Sequence, residues 1–457
     1  MQFWEENKMA NNKAIDEFVG KVANTWRNYG FMDSVYIGRT LYIMCLRKMI
    51  ESNICQNPQY MSRLVEMTKS VFRPTAIDDV DVLVKSADMF EETYHLNHGL
   101  ISEVLFPLNI EDNMWKRAFF ETIQIVSEII IDNEGYYPYA NKLIYSLNKQ
   151  IKTGSEMVSS NAISELLRLA TDIHDGDRVL DGTVGCGYSA MKCLEGKKDI
   201  FFLGVDINRN SLAIAAMNAI LADVKEYEFM SDDFTAINTP CDMDKVVMDI
   251  PFGMKMGDLE HIGYTGLRAR EWLDSPICRE AEPLLMATAI DSLSENGRFV
   301  VIVPPNFLFK QTKSLSTFRD KIVKKGLLKA VVTLPAVHTS SSIKSTMLII
   351  EHGNKDVLFV DATSLFQRER RNDAYISDDN KNILKDILDN KKAVKGISFL
   401  VPDAKVLEVG DWTLGMYLEN EDIDPVRNLE DINAELELEY ELLRQLDKKE
   451  QKIELFK

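Results

Sequence analysis

DRVLDGTVGCGYSAMKCLEGKKDIFFLGVDI, residues 177–207, holds two short β-rich runs separated by a glycine-rich turn and a helical stretch. The first run ends at Leu180–Asp181 and the turn carries Gly182, Gly185 and Gly187. The second run, IFFLGVDI, ends at Asp206. This strand–turn–helix–strand unit predicts parallel strands with a crossover helix. The texture continues outward: DKVVMDIPF, GRFVVIVPP, LKAVVTLP, STMLIIEHG and DVLFVDA read as strands, and SLAIAAMNAILADV and EPLLMATAIDSLSE as helices. The expectation is an α/β fold, a mostly parallel sheet with helices on both faces. The late strands follow one another closely, which predicts an antiparallel pair at that edge.

The first ~150 residues have a different period. Apolar residues recur every three or four positions, as in NMWKRAFFETIQIVSEIIID, which predicts helices. Beyond Ala362 the pattern loosens, and NLEDINAELELEYELLRQLDKKEQKIELF is helical again. There Ile432, Leu436, Leu443, Leu446 and Ile453 form a partial apolar stripe, interrupted at Glu439 and Glu450. Such a stripe serves equally for packing on the chain itself or on a partner. The expected division is a helical region 1–150, an α/β domain 151–365 and a C-terminal region 366–457.

The six cysteines form no CxxC pair and no histidine stands at ligand spacing, so no metal site is expected. No apolar run is long enough to span a bilayer, and the first residues lack the order of a signal peptide. A cytoplasmic protein without membrane contact is expected. Lys and Arg number 53 against 71 Asp and Glu, a net charge of −18. That balance opposes binding of a polyanion unless a partner supplies basic surface. Local basic stretches exist at Lys310, Lys313, Arg319, Lys321, Lys324 and Lys325, and at Arg368, Arg370 and Arg371, but such runs are more often solvated faces.

The chemistry-bearing residues stand at strand ends. Glycines in the turn allow a ligand to approach the backbone. Asp206, about twenty residues on, stands where ribose hydroxyls of a nucleotide-type ligand are gripped, with Ile207 beside it to pack on an adenine face. A helix N-cap is the other reading of Asp206. In SDDF, Asp232 and Asp233 close a strand before Phe234, and one of them accepts a bond from an adenine amine or the pair makes a turn. The strongest signal is DKVVMDIPFG, where a buried strand ends in Asp249, Ile250, Pro251 and Phe252. An aromatic amine is a poor nucleophile because its lone pair is delocalised. Asp249 and a backbone carbonyl of Asp249 or Ile250 can bind both amine hydrogens, and Phe252 offers a stacking face to a base rotated out of a duplex.

In order and content these motifs resemble the modification subunit of type I restriction–modification systems, an adenine-specific DNA methyltransferase family. The glycine motif DPxCGSGG is matched by DGTVGCGY, Asp181 to Tyr188, and the catalytic NPPF by DIPF. G-x-F-x-TP is loosely matched by GSEMVSS, Gly154 to Ser160, and VVPxxxLF by IVPPNFLF, Ile302 to Phe309. LPAVHTSSSIKSTMLII, FVDA and DWTLGMYL also look like landmarks of that family. The resemblance implies a Rossmann-like class I methyltransferase domain with a helical N-terminal domain that helps grip DNA and a helical C-terminal tail. It implies S-adenosylmethionine as cofactor, bound through Asp181, Gly182, Gly185, Gly187, Asp206, Ile207, Asp233 and Phe234. It also implies DNA and a separate specificity subunit as partners, with a restriction nuclease subunit as a further one. The departures are Asp for Asn at 249, Ile for Pro at 250, Gly for Pro at 182, and Ser159–Ser160 for Thr-Pro. A catalytically degenerate scaffold that assembles on DNA is the competing reading.

Overall fold

The computed structural model describes residues 2–31, 35–52, 54, 86–107, 113–132, 135–147, 158–238, 242–257, 260–337, 344–370 and 373–418. Met1–Leu414 form one compact unit; a second spans Gly415–Lys457. The predicted C-terminal helix, with its stripe from Ile432 to Ile453, lies outside the described residues, as do Cys55, Cys241 and Arg371.

The first unit is built on a sheet of nine strands. These are β1 (Arg178–Asp181), β2 (Phe201–Asp206), β3 (Glu226–Ser231), β4 (Met243–Asp249), β5 (Leu293–Val303), β6 (Leu328–Leu334), β7 (Ser345–Glu351), β8 (Asp356–Asp361) and, after the separate hairpin β9 (Phe366–Arg370) and β10 (Asp373–Ile376), β11 (Ser398–Pro402). Their spatial order is β11-β8-β6-β7-β5-β4-β1-β2-β3. From β3 through β5 all pairings are parallel. The strand order reverses at β1 and β4, which opens a crevice at their carboxyl ends, the usual ligand position in such sheets.

Antiparallel pairing is not confined to the edge, as the sequence had suggested. β7 is inserted between β5 and β6, antiparallel to both, and a further antiparallel pair, β8 with β11, closes the edge. The reason lies in composition: residues 345–350 of β7 are all buried, and such a run needs a neighbour on each side. β11 also shows that the sheet extends past Ala362.

Helices are α1 (Gln2–Asn28), α2 (Val35–Ser52), α3 (Ala87–Thr93), α4 (Ser102–Leu105), α5 (Asn113–Ser127), α6 (Tyr137–Tyr145), α7 (Asn161–Thr171), α8 (Tyr188–Leu194), α9 (Arg209–Leu221), α10 (Gly263–Leu273), α11 (Glu282–Asp291), α12 (Asn306–Phe309), α13 (Lys313–Lys324), α14 (Asp378–Asp389) and α15 (Asp403–Val409). α9 explains how the N-terminal helices join the sheet. Its sequence RNSLAIAAMNAIL is apolar on every face, and residues 211–221 are all buried. A helix of that kind must be covered on both sides. The sheet covers one side and α2 the other, where Cys45 Sγ meets the Met217 carbonyl and Lys48 Nζ donates to the Ile220 carbonyl at 2.6 Å. One hydrophobic core therefore runs from Ile15 and Trp26 through Ile214 to the central strands.

Ser160, at the departure from Thr-Pro, has a local role. Its side chain caps α7 by accepting the Ile163 N–H at 3.2 Å, and Ser164 on that helix bonds Ser189 of α8 at 2.8 Å. A serine is among the best N-caps and proline supplies no such acceptor.

Candidate functional site

The middle of the glycine turn is held by the end of β2. Val184 N–H donates to the Val205 carbonyl at 3.0 Å and Gly185 N–H to Asp206 Oδ2 at 2.8 Å. Gly185 and Gly187 have φ of +52° and +73°, in the left-handed region that side chains disfavour. A Cβ at Gly187 would lie 3.1 Å from Ala215 Cβ, so this glycine also lets α9 pack closely. Gly182 has a different reason. A Cβ there would lie 2.3–2.6 Å from ring atoms of Phe234, so the aromatic ring occupies the space that the proline of the resembled motif would need. Phe234 itself is 3% exposed and supports the turn from below.

Asp206 is not the helix cap. Asn208 caps α9, its Oδ1 accepting the Asn210 and Ser211 N–H groups. Asp206 instead accepts the Asn208 N–H at 2.7 Å on Oδ1 and the Gly185 N–H on Oδ2. Each carboxylate oxygen keeps a second lone pair for a ligand hydroxyl. Burial pushes the carboxyl upward, and the two backbone bonds oppose that shift. Ile207 beside it is 75% exposed, an apolar side chain displayed next to a carboxylate. Asp233 makes the predicted turn: Oδ1 accepts both the Thr235 N–H and its hydroxyl at 2.9 Å, which leaves Oδ2 outside that turn.

Asp249 closes β4, half-buried, opposite Ile302 of β5. Ile250 is 2% exposed, so its side chain anchors the strand end in the core while its carbonyl belongs to the loop. Phe252 is half-buried. Gly253 follows with φ +70°, and its N–H donates to Glu282 Oε1 at 3.2 Å. The loop then runs beside residues 279–281, with Met256 N–H on the Arg279 carbonyl and Ala281 N–H on the Met254 carbonyl. Glu282 went unnoticed in the sequence, although Glu-Pro at a helix start was a signal that this residue begins α11.

The end of β5 is similarly braced. Residues 304–309 form a Pro-Pro turn and α12, whose carbonyls are held by a buried arginine. Arg319 donates to the carbonyls of Phe307 at 2.8 Å and Lys310 at 3.0 Å. Trp412 packs edge-on to Phe307, and its N–H donates to the Leu308 carbonyl. The landmark IVPPNFLF thus packs against Trp412, at the start of the second landmark. Of the basic stretch around Arg319, Lys313 is exposed, and the other lysines make ion pairs: Lys310 with Glu280, Lys321 with Asp274, Lys324 with Asp320, and Lys325 with Glu271, beside the Trp272 ring. Arg368 donates to the Ala336 carbonyl.

Asp181 completes the set. It is 4% exposed at the end of β1, with Oδ1 accepting the Thr183 N–H at 3.0 Å. Burial pushes its carboxyl up to about 8, with the Asp206 and Asp249 charges acting in the same direction against the Thr183 bond. The structure therefore brings the glycine turn, Asp181, Asp206 and Asp249 to the carboxyl ends of β1, β2 and β4. Elsewhere, Asp88, Glu91 and His98 approach one another, but Glu91 is a loop staple whose oxygens accept the N–H groups of Gly99, Ile101 and Ser102. Among the described residues no helix is long and apolar enough to cross a membrane.

Comparison with solved structures finds the same architecture. The type I restriction–modification system methyltransferase subunit from Streptococcus thermophilus superposes with a TM-score of 0.69 at 14% identity, covering 89% of this chain and 99% of that one. A chain from a structure describing assembly and conformational transition of the type I R-M system gives a TM-score of 0.60 at 16% identity, covering 97% and 99%. A search of curated proteins by sequence gives no match. The family model for N-6 DNA methylases matches residues 142–424, starting within α6, and the chain belongs to that family of adenine DNA methyltransferases.

Proposed function

We propose that the chain transfers a methyl group from S-adenosylmethionine to the exocyclic amine of adenine in DNA, as the modification subunit of a type I restriction–modification-like complex. The observation that carries this reading is the meeting of the glycine turn, Asp206 and Asp249–Phe252 on one sheet edge. The donors fit the cofactor: Asp206 retains acceptor capacity for ribose hydroxyls, exposed Ile207 offers an apolar face for adenine, and Asp233 Oδ2 stands outside its turn. Gly185 and Gly187 hold the turn in the left-handed backbone region that side chains disfavour.

When bound, S-adenosylmethionine supplies an electrophilic methyl group whose C–S bond breaks, leaving the electron pair on sulfur, as the amine nitrogen bonds to carbon. Asp249 accepts one amine hydrogen and the carbonyl of Asp249 or Ile250 the other, which localises the nitrogen lone pair. Phe252 stacks on the extruded base. The surplus proton of the methylated nitrogen passes to solvent. Pro251 holds Ile250 extended and so aims the carbonyl.

Residues 1–150 are assigned to gripping DNA, 151–365 to cofactor and catalysis, and 366–457 to docking a basic, DNA-reading specificity subunit in the cytoplasm, with a nuclease subunit as a further partner. The net charge of −18 supports the case that DNA affinity comes from a partner. Deletion from Asn428 onward should leave fold and cofactor binding intact and abolish pull-down of the specificity subunit; tight sequence-specific DNA binding by the full chain alone at physiological salt would refute the arrangement. Asp206→Ala should weaken cofactor binding by about 1–3 kcal/mol, the scale for hydrogen bonds to a charged group. Unchanged affinity by calorimetry would remove Asp206 from the site.

A further inference from the structure

Three carboxylates close three strands that lie side by side. Asp181 ends β1, Asp206 ends β2 and Asp249 ends β4, and β1 runs between the other two. Asp181 is the most deeply buried of the three. The charges acting most strongly on it are both negative, Asp206 from β2 and Asp249 from β4. From α8 it faces the Cys193 thiol, which burial keeps in its neutral form. From the turn it receives the Thr183 N–H, and Phe234 covers the adjoining Gly182. Among the described residues no cation pairs with Asp181, and a carboxylate between two others is costly to ionise.

We propose that Asp181 is a charge-matching selectivity residue, protonated while the site is empty and ionised when a sulfonium cation enters, so that the site prefers the charged methyl donor to its neutral thioether product. The inference rests on the S-adenosylmethionine reading. A sulfonium carries a positive charge that no pH change removes. Its arrival supplies the counter-charge that Asp181 otherwise lacks, and the displaced proton passes to solvent. After methyl transfer the sulfur is neutral. Asp181 then takes a proton back and the product loses the electrostatic part of its hold.

The sign of the pH dependence follows. The empty-site carboxyl titrates at about 8 and the donor-bound one lower, so donor binding releases a proton between those two values. Donor affinity should rise by up to about tenfold per pH unit below about 8 and level off above it. The neutral thioether should show no such gain.

The test is titration calorimetry of the full chain with S-adenosylmethionine and with S-adenosylhomocysteine, from about pH 6.5 to about 8.5, in buffers of different ionisation enthalpy. The donor-to-product affinity ratio should rise about tenfold or more across that range. Asp181→Asn should abolish the rise and reduce proton release on donor binding by about one at pH 7. Release from the ligand's own amino group survives in the variant, so the difference between the proteins reads Asp181 alone. If Asp181→Asn fails to fold, the wild-type ratio still decides. A ratio flat with pH, or equal proton release in wild type and variant, overturns the inference and leaves the cofactor reading standing. Failure of either ligand to bind overturns both.

Discussion

Asp249→Ala is expected to bind cofactor and DNA as the wild type does while turnover in the assembled complex falls by about 10²–10³-fold, the range for losing one preorganised hydrogen bond at the reacting centre. The loss should appear in kcat rather than KM, because the bond to the amine matters most as the nitrogen attacks. Asp249→Asn should retain substantial activity, since the amide oxygen also accepts a hydrogen bond. It would restore the asparagine of the resembled motif. Phe252→Ala should weaken capture of the extruded base more than Phe252→Trp, which keeps a stacking face. Normal methylation by Asp249→Ala would show that the amine is oriented by another group.

The second large effect is expected at Gly182. Its Cβ would fall 2.3–2.6 Å from the Phe234 ring, closer than real contacts allow. Gly182→Ala must displace either the ring or the turn that carries Thr183 to Gly187. Overpacking of that kind costs about 1–3 kcal/mol of stability, and any shift of the turn should also weaken cofactor binding. Phe234→Ala alone opens a cavity at a cost of about 3–5 kcal/mol. The double variant should be destabilised by less than the sum, because the new methyl enters the space that the ring vacates. Additive effects in urea denaturation would show that the two sites are not coupled.

These two positions mark what the sequence could and could not disclose. Asp249 was legible because a buried strand ending in Asp-Ile-Pro-Phe is a local pattern, and strand, turn and acceptor all lie within a few residues. The glycine turn and Asp206 could be placed at strand ends for the same reason, and the fold brings them to the carboxyl ends of neighbouring strands. Gly182 was not, because its space is set by Phe234, which reaches it from the end of β3. Nor could a linear reading tell that Asn208 caps α9 and so frees Asp206, since both residue types favour that position. Arg319 looked like part of a basic surface until the fold buried it among the carbonyls of α12. Glu282 reads as a helix-start acid, and only the return of residues 254–256 beside 279–281 brings it to Gly253. The place of β7 depended on which strands flank it, a property of the whole sheet rather than of STMLIIE.

The departures from the resembled motifs acquire physical reasons in this fold. Ser160 caps α7, Phe234 takes the space of a proline at 182, and Ile250 fills the core beneath the strand end. These three substitutions keep the local packing closed.

The most direct test of adenine methylation is nucleoside analysis of duplex DNA after incubation with the full chain, its specificity subunit and S-adenosylmethionine labelled in the methyl group. The label is expected in N6-methyladenine and to fall with Asp249→Ala. Label in a methylated cytosine or in protein, or N6-methyladenine formed equally by Asp249→Ala, would contradict it.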